Sequence, residues 1–197
     1  MDVEKGHIYH IYNQGNNREK IFFGKENYRY FLKKIENHIC PVAELLAWCL
    51  MPNHFHLIVA LSDRLTFSHP VTQEHPVTLN SSIAVMLRSY TRAINIQENR
   101  SGSLFRETTK AIWLGSIESE KLKFENRNMI TQVTNQDSDE EYLFTCFRYI
   151  HQNPVKARLV KNEADWEFSS AKDFALLRGG KLINWELCEQ LGLLTLK

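Results

Sequence analysis

The spacing of apolar positions divides the chain into seven predicted elements. Residues 7–15, HIYHIYNQG, are β-branched and aromatic and close on a turn-forming glycine, the pattern of a strand entering a turn. Residues 25–39 place Tyr28, Phe31, Leu32, Ile35 and Ile39 at helical spacing, and Pro41 stops that helix. Residues 42–51, VAELLAWCLM, predict a second strand. MPN then makes a short turn and HFHLIVA a third strand, together an antiparallel hairpin. Residues 62–80 repeat HPVT at 69–72 and 75–78, too few copies for a solenoid, and Pro70 and Pro76 predict a loop. A helix follows over 81–99, with Ser82 as N-cap and Ile83, Met86, Leu87, Tyr90 and Ile94 as its stripe. Residues 101–114 read as a glycine-containing turn and a fourth strand, and 115–138 as polar and irregular. The last helix, 139–153, has acids in its first turn and a Leu143, Phe147, Ile150 stripe, and it should end near Asn153-Pro154.

The order β, α, β, β, α, β, α fits an α+β fold: a ferredoxin-like antiparallel sheet with helices packed on one face. The two strands after the first helix are expected at its centre. A length of 197 residues suits one domain over 1–197, with insertions at about 62–80 and 115–140. The end of the chain, about 164–197, reads as a packing tail anchored by Trp166, Phe168 and Trp185.

Composition narrows the class. No stretch approaches the roughly 20 apolar residues of a membrane span, and MDVEKGHIYH has no apolar signal segment. Cys40, Cys49, Cys146 and Cys188 are scattered without a C-x-x-C pair, which fits reduced thiols in a cytoplasmic protein better than a zinc cage or disulfide framework. The net charge of +1 conceals an uneven distribution. Residues 118–141 hold seven acids against three bases, so the rest of the chain carries +5. Residues 142–162 hold Arg148, Lys156, Arg158 and Lys161 with no acid, and 86–110 hold five bases against two acids. A basic surface of this kind suits a polyanion, although a solvated charged face explains the same counts.

The chemistry concentrates in two segments. In MPNHFHLIVA, residues 51–60, the period of two places His54 and His56 on one face and Phe55, Leu57 and Val59 on the other. Two neutral imidazoles on one face suit a divalent metal but do not complete a site; local hydrogen bonding is the alternative reading. On the last helix Tyr149 and Asn153 are four residues apart and share a face. An asparagine carbonyl oxygen can complete a histidine site for Mg²⁺ or Mn²⁺, and a tyrosine one turn away can attack a phosphate. Alternatively, Tyr149 is a core aromatic and Asn153 caps a short following helix, PVKARLV.

MPNHFHLIV and RYIHQNPVKARLV, about ninety residues apart, resemble the two signature segments of the REP-associated tyrosine transposases, members of the HUH single-stranded DNA transposases and nucleases. YHIYNQGNNREKIF and RSGSLFRETTKAI are similar to the same pattern, so the likeness spans most of residues 7–170 apart from the two insertions. It implies that His54 and His56 bind the metal, that Tyr149 is the nucleophile, and that Asn153 supplies the remaining metal contact. It also implies cleavage of single-stranded DNA beside hairpin-forming palindromes, through a tyrosine joined to a 5′ phosphate, followed by strand transfer. A monomer is favoured over a dimer. Two other functions fit the same residues: a hairpin-binding protein that no longer cuts, and a metal hydrolase using activated water. Candidate DNA contacts are Arg18 and Lys20 after the Gly15 turn, Arg88 and Arg92 on one face of the second helix, Arg106 and Lys110 after it, and Lys156 and Arg158 beyond the tyrosine. His151 lies on a different helical face from Tyr149 and is not an obvious base for it.

Overall fold

Strands β1 (His7–Gln14), β2 (Glu44–Met51), β3 (His54–Ala60) and β4 (Lys110–Ser116) form one sheet in the order β2-β3-β1-β4. Every pairing is antiparallel. The computed structural model describes residues 3–61, 78–118 and 142–195. The HPVT repeat and the acidic insertion therefore fall outside the described residues, except at their ends. The hairpin expected around MPN is present. β2, however, lies at an edge of the sheet rather than its centre, because β1 takes the free side of β3.

Alternation along the strands produces two unlike faces. Phe55 and Leu57 on β3 share a face with Asn13 and Ile11 on β1. Helices α1 (Lys25–His38) and α2 (Leu79–Gln97) pack against each other and, with Phe31 and Tyr90, cover this face. The Phe31 ring centre lies 5.2 Å from that of Phe55 and 4.9 Å from that of Tyr90, and all three side chains are fully buried. Burial of such a side chain is worth about 1.5–3 kcal/mol. Tyr90 keeps its hydroxyl satisfied by donating to the Ile21 carbonyl at 2.8 Å. The opposite face carries His10, Tyr12, His54 and His56. Helix α3 (Tyr142–Lys156) packs there against β2 and β4. The first two helices thus share one face as expected, and the third lies on the other.

Two helix boundaries depart from the sequence pattern. α2 begins at Leu79, because the Thr78 hydroxyl oxygen accepts from the Ser81 N–H at 3.2 Å; Ser82 is buried within the helix and does not cap it. α3 runs through Pro154 to Lys156. A proline so near a helix end removes one donor, while the Asn153 and Pro154 carbonyls still accept from Ala157 and Leu159 at 2.9 Å each. Asn153 is therefore inside α3 and does not cap a following helix.

The chain beyond α3 returns along the exposed edge of β2, where an uncovered strand would otherwise offer unpaired backbone groups. Leu50 N–H donates to the Phe168 carbonyl, Ser170 N–H to the Trp48 carbonyl, and Asn184 N–H to the Leu45 carbonyl, each at 2.9 Å. Two short helices, α4 (Ala171–Phe174) and α5 (Trp185–Gln190), complete this covering. All four cysteines are free, and no described helix is long and apolar enough to cross a membrane.

Candidate active site

The sheet register determines the site. Tyr12 on β1 stands directly across from His56, and Gln14 across from His54. With Tyr149 of α3 above them, these residues line a cleft of about 320 Å³, which Asn13, Arg106, Thr108 and Lys110 also border. Tyr149 is 42% exposed and its ring centre lies 5.7 Å from that of His56 and 6.5 Å from that of His10. A core aromatic would be enclosed; this one opens onto the cleft. The Lys156 ammonium stands 5.3 Å from the Tyr149 ring centre, so a cation flanks the phenol.

Neighbours outside the H-x-H motif hydrogen-bond both histidines and fix the tautomer of His54. Asn53 donates its amide nitrogen to the Arg18 carbonyl at 3.0 Å, which fixes the amide orientation and turns its Oδ1 toward His54 Nδ1 at 2.7 Å. An amide oxygen only accepts, so His54 Nδ1 carries the proton and Nε2 keeps its lone pair. His56 Nδ1 lies 2.8 Å from His10 Nε2. When His56 donates in this pair, its own Nε2 also keeps a lone pair. That Nε2 is buried without a hydrogen-bond partner among the described residues. An unpartnered buried nitrogen costs stability in the isolated chain unless something takes its lone pair.

Electrostatics keep the imidazoles neutral. Burial lowers His10 to a pKa of about 4 and also lowers His54. His56 is pushed well below the ordinary value, first by burial and then by the neighbouring His10 and His54. Neutral imidazole is the form that ligates a metal.

Two imidazole nitrogens facing one cleft suit a divalent ion, whereas Asn153, one turn beyond Tyr149, does not line that cleft, and its amide nitrogen, an N–H donor that does not ligate a cation, is buried without a partner among the described residues. Among the described residues no group of three His, Cys, Asp or Glu side chains is arranged to hold a metal.

The structure sorts the remaining candidates. Arg106 and Lys110 border the cleft. Arg88 and Arg92 line a separate, larger groove that Arg106 also borders. Arg18, Lys20 and Arg158 are exposed and line neither. His151 is buried and its Nε2 is 2.7 Å from the Ser170 hydroxyl; burial lowers its pKa to about 3, so it faces away from the chemistry. Asn53 and His10, which hydrogen-bond the two cleft histidines, are the residues that motif reading misses. Strand alternation along HIYHIYNQ could have found His10, since it places His10 and Tyr12 on one face. Asn53 looked only like a turn residue.

The family model described as "Transposase IS200 like" matches residues 4–118, more than half of the chain, including both cleft histidines but stopping short of Tyr149. No curated protein matches it. Among solved structures, the chain is similar to a REP-associated tyrosine transposase bound to a REP hairpin, with 18% identity and a TM-score of 0.55, over 91% of this chain and 84% of that one. That likeness is one of fold. With the family match and the histidine cleft, the conclusion is that the chain belongs to the IS200-like transposase family.

Proposed function

We propose that the protein cleaves and rejoins single-stranded DNA beside hairpins, with Tyr149 as the nucleophile and His54, His56 and Asn153 as the residues that would hold Mg²⁺ or Mn²⁺. The observation that carries this reading is the half-exposed Tyr149 ring beside His56, whose Nε2 is buried without a partner in the same cleft. The hairpin is suggested by what the similar structure binds.

Each residue then has a task. Arg106 and Lys110 at the cleft edge hold the DNA phosphates and Lys156 adds positive charge beside the phenol. The Tyr149 oxygen attacks the scissile phosphorus and loses its proton to solvent. The bond from phosphorus to the 3′ oxygen breaks, and that oxygen leaves as a 3′ hydroxyl after taking up a proton. The 5′ phosphate stays on Tyr149 as a diester, so the bond energy is kept and no nucleotide cofactor is consumed. A second 3′ hydroxyl reverses the chemistry, which joins the strands and frees the tyrosine. A bound divalent ion would supply charge withdrawal from the phosphate and orientation.

The test is incubation with single-stranded hairpin oligonucleotides and Mg²⁺ or Mn²⁺, followed by denaturing electrophoresis. A protein–DNA adduct that disappears in Tyr149→Phe supports the reading. Hairpin binding without an adduct indicates a non-cutting DNA-binding protein, and free products that persist in Tyr149→Phe indicate a water-activating hydrolase.

A further inference from the structure

Tyrosine transfer as described leaves one reacting atom without a partner in the protein. As the bond from phosphorus to the 3′ oxygen breaks, negative charge develops on that oxygen, and its departure is slow unless a donor is already aimed at it. The attacking and departing oxygens of a phosphoryl transfer lie roughly in line, on opposite sides of phosphorus. Tyr149 approaches from α3, so the departing oxygen faces the sheet that floors the cleft.

That floor carries a second phenol. Tyr12 on β1 lines the same cleft as Tyr149. The Tyr12 ring centre lies 5.8 Å from that of His56 and the Tyr149 ring centre 5.7 Å, so two phenols approach one imidazole, one from the sheet and one from the helix. Tyr12 is held in place on three sides. Its backbone pairs with His56 on one side and Lys110 on the other, in a strand flanked by β3 and β4. Its ring stacks on that of His10, with centres 4.9 Å apart and planes 29° from parallel. The residue is half-buried, yet its hydroxyl makes no hydrogen bond among the described residues. A phenol O–H is a donor, and a donor fixed in advance needs no reorganisation when charge appears. Lys110, across the strand pair, is exposed on a flexible stem and lacks this fixing.

We infer that Tyr12 is a second catalytic residue of the cleft, whose hydroxyl donates a hydrogen bond to the 3′ oxygen of the departing strand. The Tyr149 oxygen forms its bond to phosphorus, and the electron pair of the broken bond passes to the 3′ oxygen. That oxygen takes its proton from water, while Tyr12 keeps its own. In the rejoining step the same hydrogen bond meets the incoming 3′ oxygen as it loses its proton. This role rests on the tyrosine-transfer reading of the cleft.

Tyr12→Phe removes the hydroxyl and keeps the ring on His10. The test follows adduct formation in Mn²⁺ by wild-type and Tyr12→Phe protein on two hairpin oligonucleotides of one sequence, which differ only in having oxygen or sulfur as the bridging 3′ atom at the cut. Sulfur departs as a thiolate, a much weaker base than an alkoxide, and needs no donor. With oxygen at the cut, Tyr12→Phe should slow adduct formation about 100-fold, while fluorescence anisotropy shows unchanged hairpin binding. With sulfur, the two proteins should react at the same rate. Equal slowing on both oligonucleotides, which a role in packing or DNA binding would give, overturns the assignment. An adduct that Tyr12→Phe forms at the wild-type rate on the oxygen substrate removes the role of Tyr12 and keeps the chemistry of Tyr149. Failure of the wild-type protein to form an adduct with either oligonucleotide removes that chemistry and the role of Tyr12 with it.

Discussion

Ser170→Ala should cost far more than the removal of one exposed hydroxyl. Ser170 is fully buried where the returning chain meets the edge of β2. Its Oγ accepts from the Trp48 N–H at 2.9 Å and lies 2.7 Å from His151 Nε2 on α3. It is also 3.0 Å from the Trp48 carbonyl, which the Ser170 N–H satisfies independently at 2.9 Å. Alanine therefore strands two groups, a backbone N–H and an imidazole nitrogen, where water does not reach. Each stranded group costs about 1–3 kcal/mol, so a total of about 2–4 kcal/mol follows once some relaxation is allowed. In a chain of this size each kcal/mol lowers Tm by roughly 2–4 °C, giving a fall of roughly 5–15 °C. Thermal and urea unfolding of Ser170→Ala measure this, with Ser169→Ala as a control. Ser169 is equally buried, but its hydroxyl accepts from the Ala171 N–H at 3.1 Å, meets the Trp48 carbonyl at 3.5 Å and hydrogen-bonds the Cys49 side chain, so no imidazole depends on it. A loss below about 1 kcal/mol for Ser170→Ala would refute the claim that its hydroxyl joins α3, β2 and the returning chain.

Other expectations follow from the same contacts. His151 has a folded pKa of about 3 against an ordinary 6.5, so in that window the unfolded chain binds more protons. Its contribution is complete above pH 6.5 and is lost as pH falls, by about 1.4 kcal/mol per unit; stability against urea at pH 5 should drop by roughly 2 kcal/mol from this group, and a flat profile from pH 7 to 5 would contradict its burial as a neutral imidazole. Asp173→Ala leaves the Arg178 guanidinium, now bonded to that carboxylate and to the Glu167 and Ser169 carbonyls, without its counter-charge. Because Arg178 is about one-third exposed, the expected loss is about 2–3 kcal/mol, below that of a fully buried pair, and urea unfolding with an unshifted midpoint would contradict it. Asn53→Ala frees the His54 tautomer, so calorimetric Mn²⁺ affinity should fall roughly 10- to 100-fold; unchanged affinity would show that Asn53 does not orient His54.

Much of this architecture was legible in residue spacing, and what was not has identifiable causes. Strand alternation placed His54 and His56 together, and helical spacing placed Asn153 one turn from Tyr149, because both depend only on local geometry. The edge position of β2 was hidden because strand order depends on which strand edge β1 takes, a non-local choice. The extension of α3 through Pro154 was hidden because the rule against helical proline weakens in the last turn, where few hydrogen bonds remain to be lost. His10 was obscured by its β-branched and aromatic neighbours, which read simply as strand. The role of Ser170 could not be read at all, since it joins residues separated by 19 and 122 positions.

The most direct test of the central claim is to locate the DNA on the polypeptide. Trypsin cutting after Arg148 and Lys156 releases YIHQNPVK, in which Tyr149 is the only tyrosine. After reaction with a hairpin oligonucleotide, nuclease trimming and mass spectrometry, the account predicts a nucleotide joined through phosphate to Tyr149 in this peptide. Cleaved DNA with this peptide unmodified, or with the nucleotide on another residue, would contradict it.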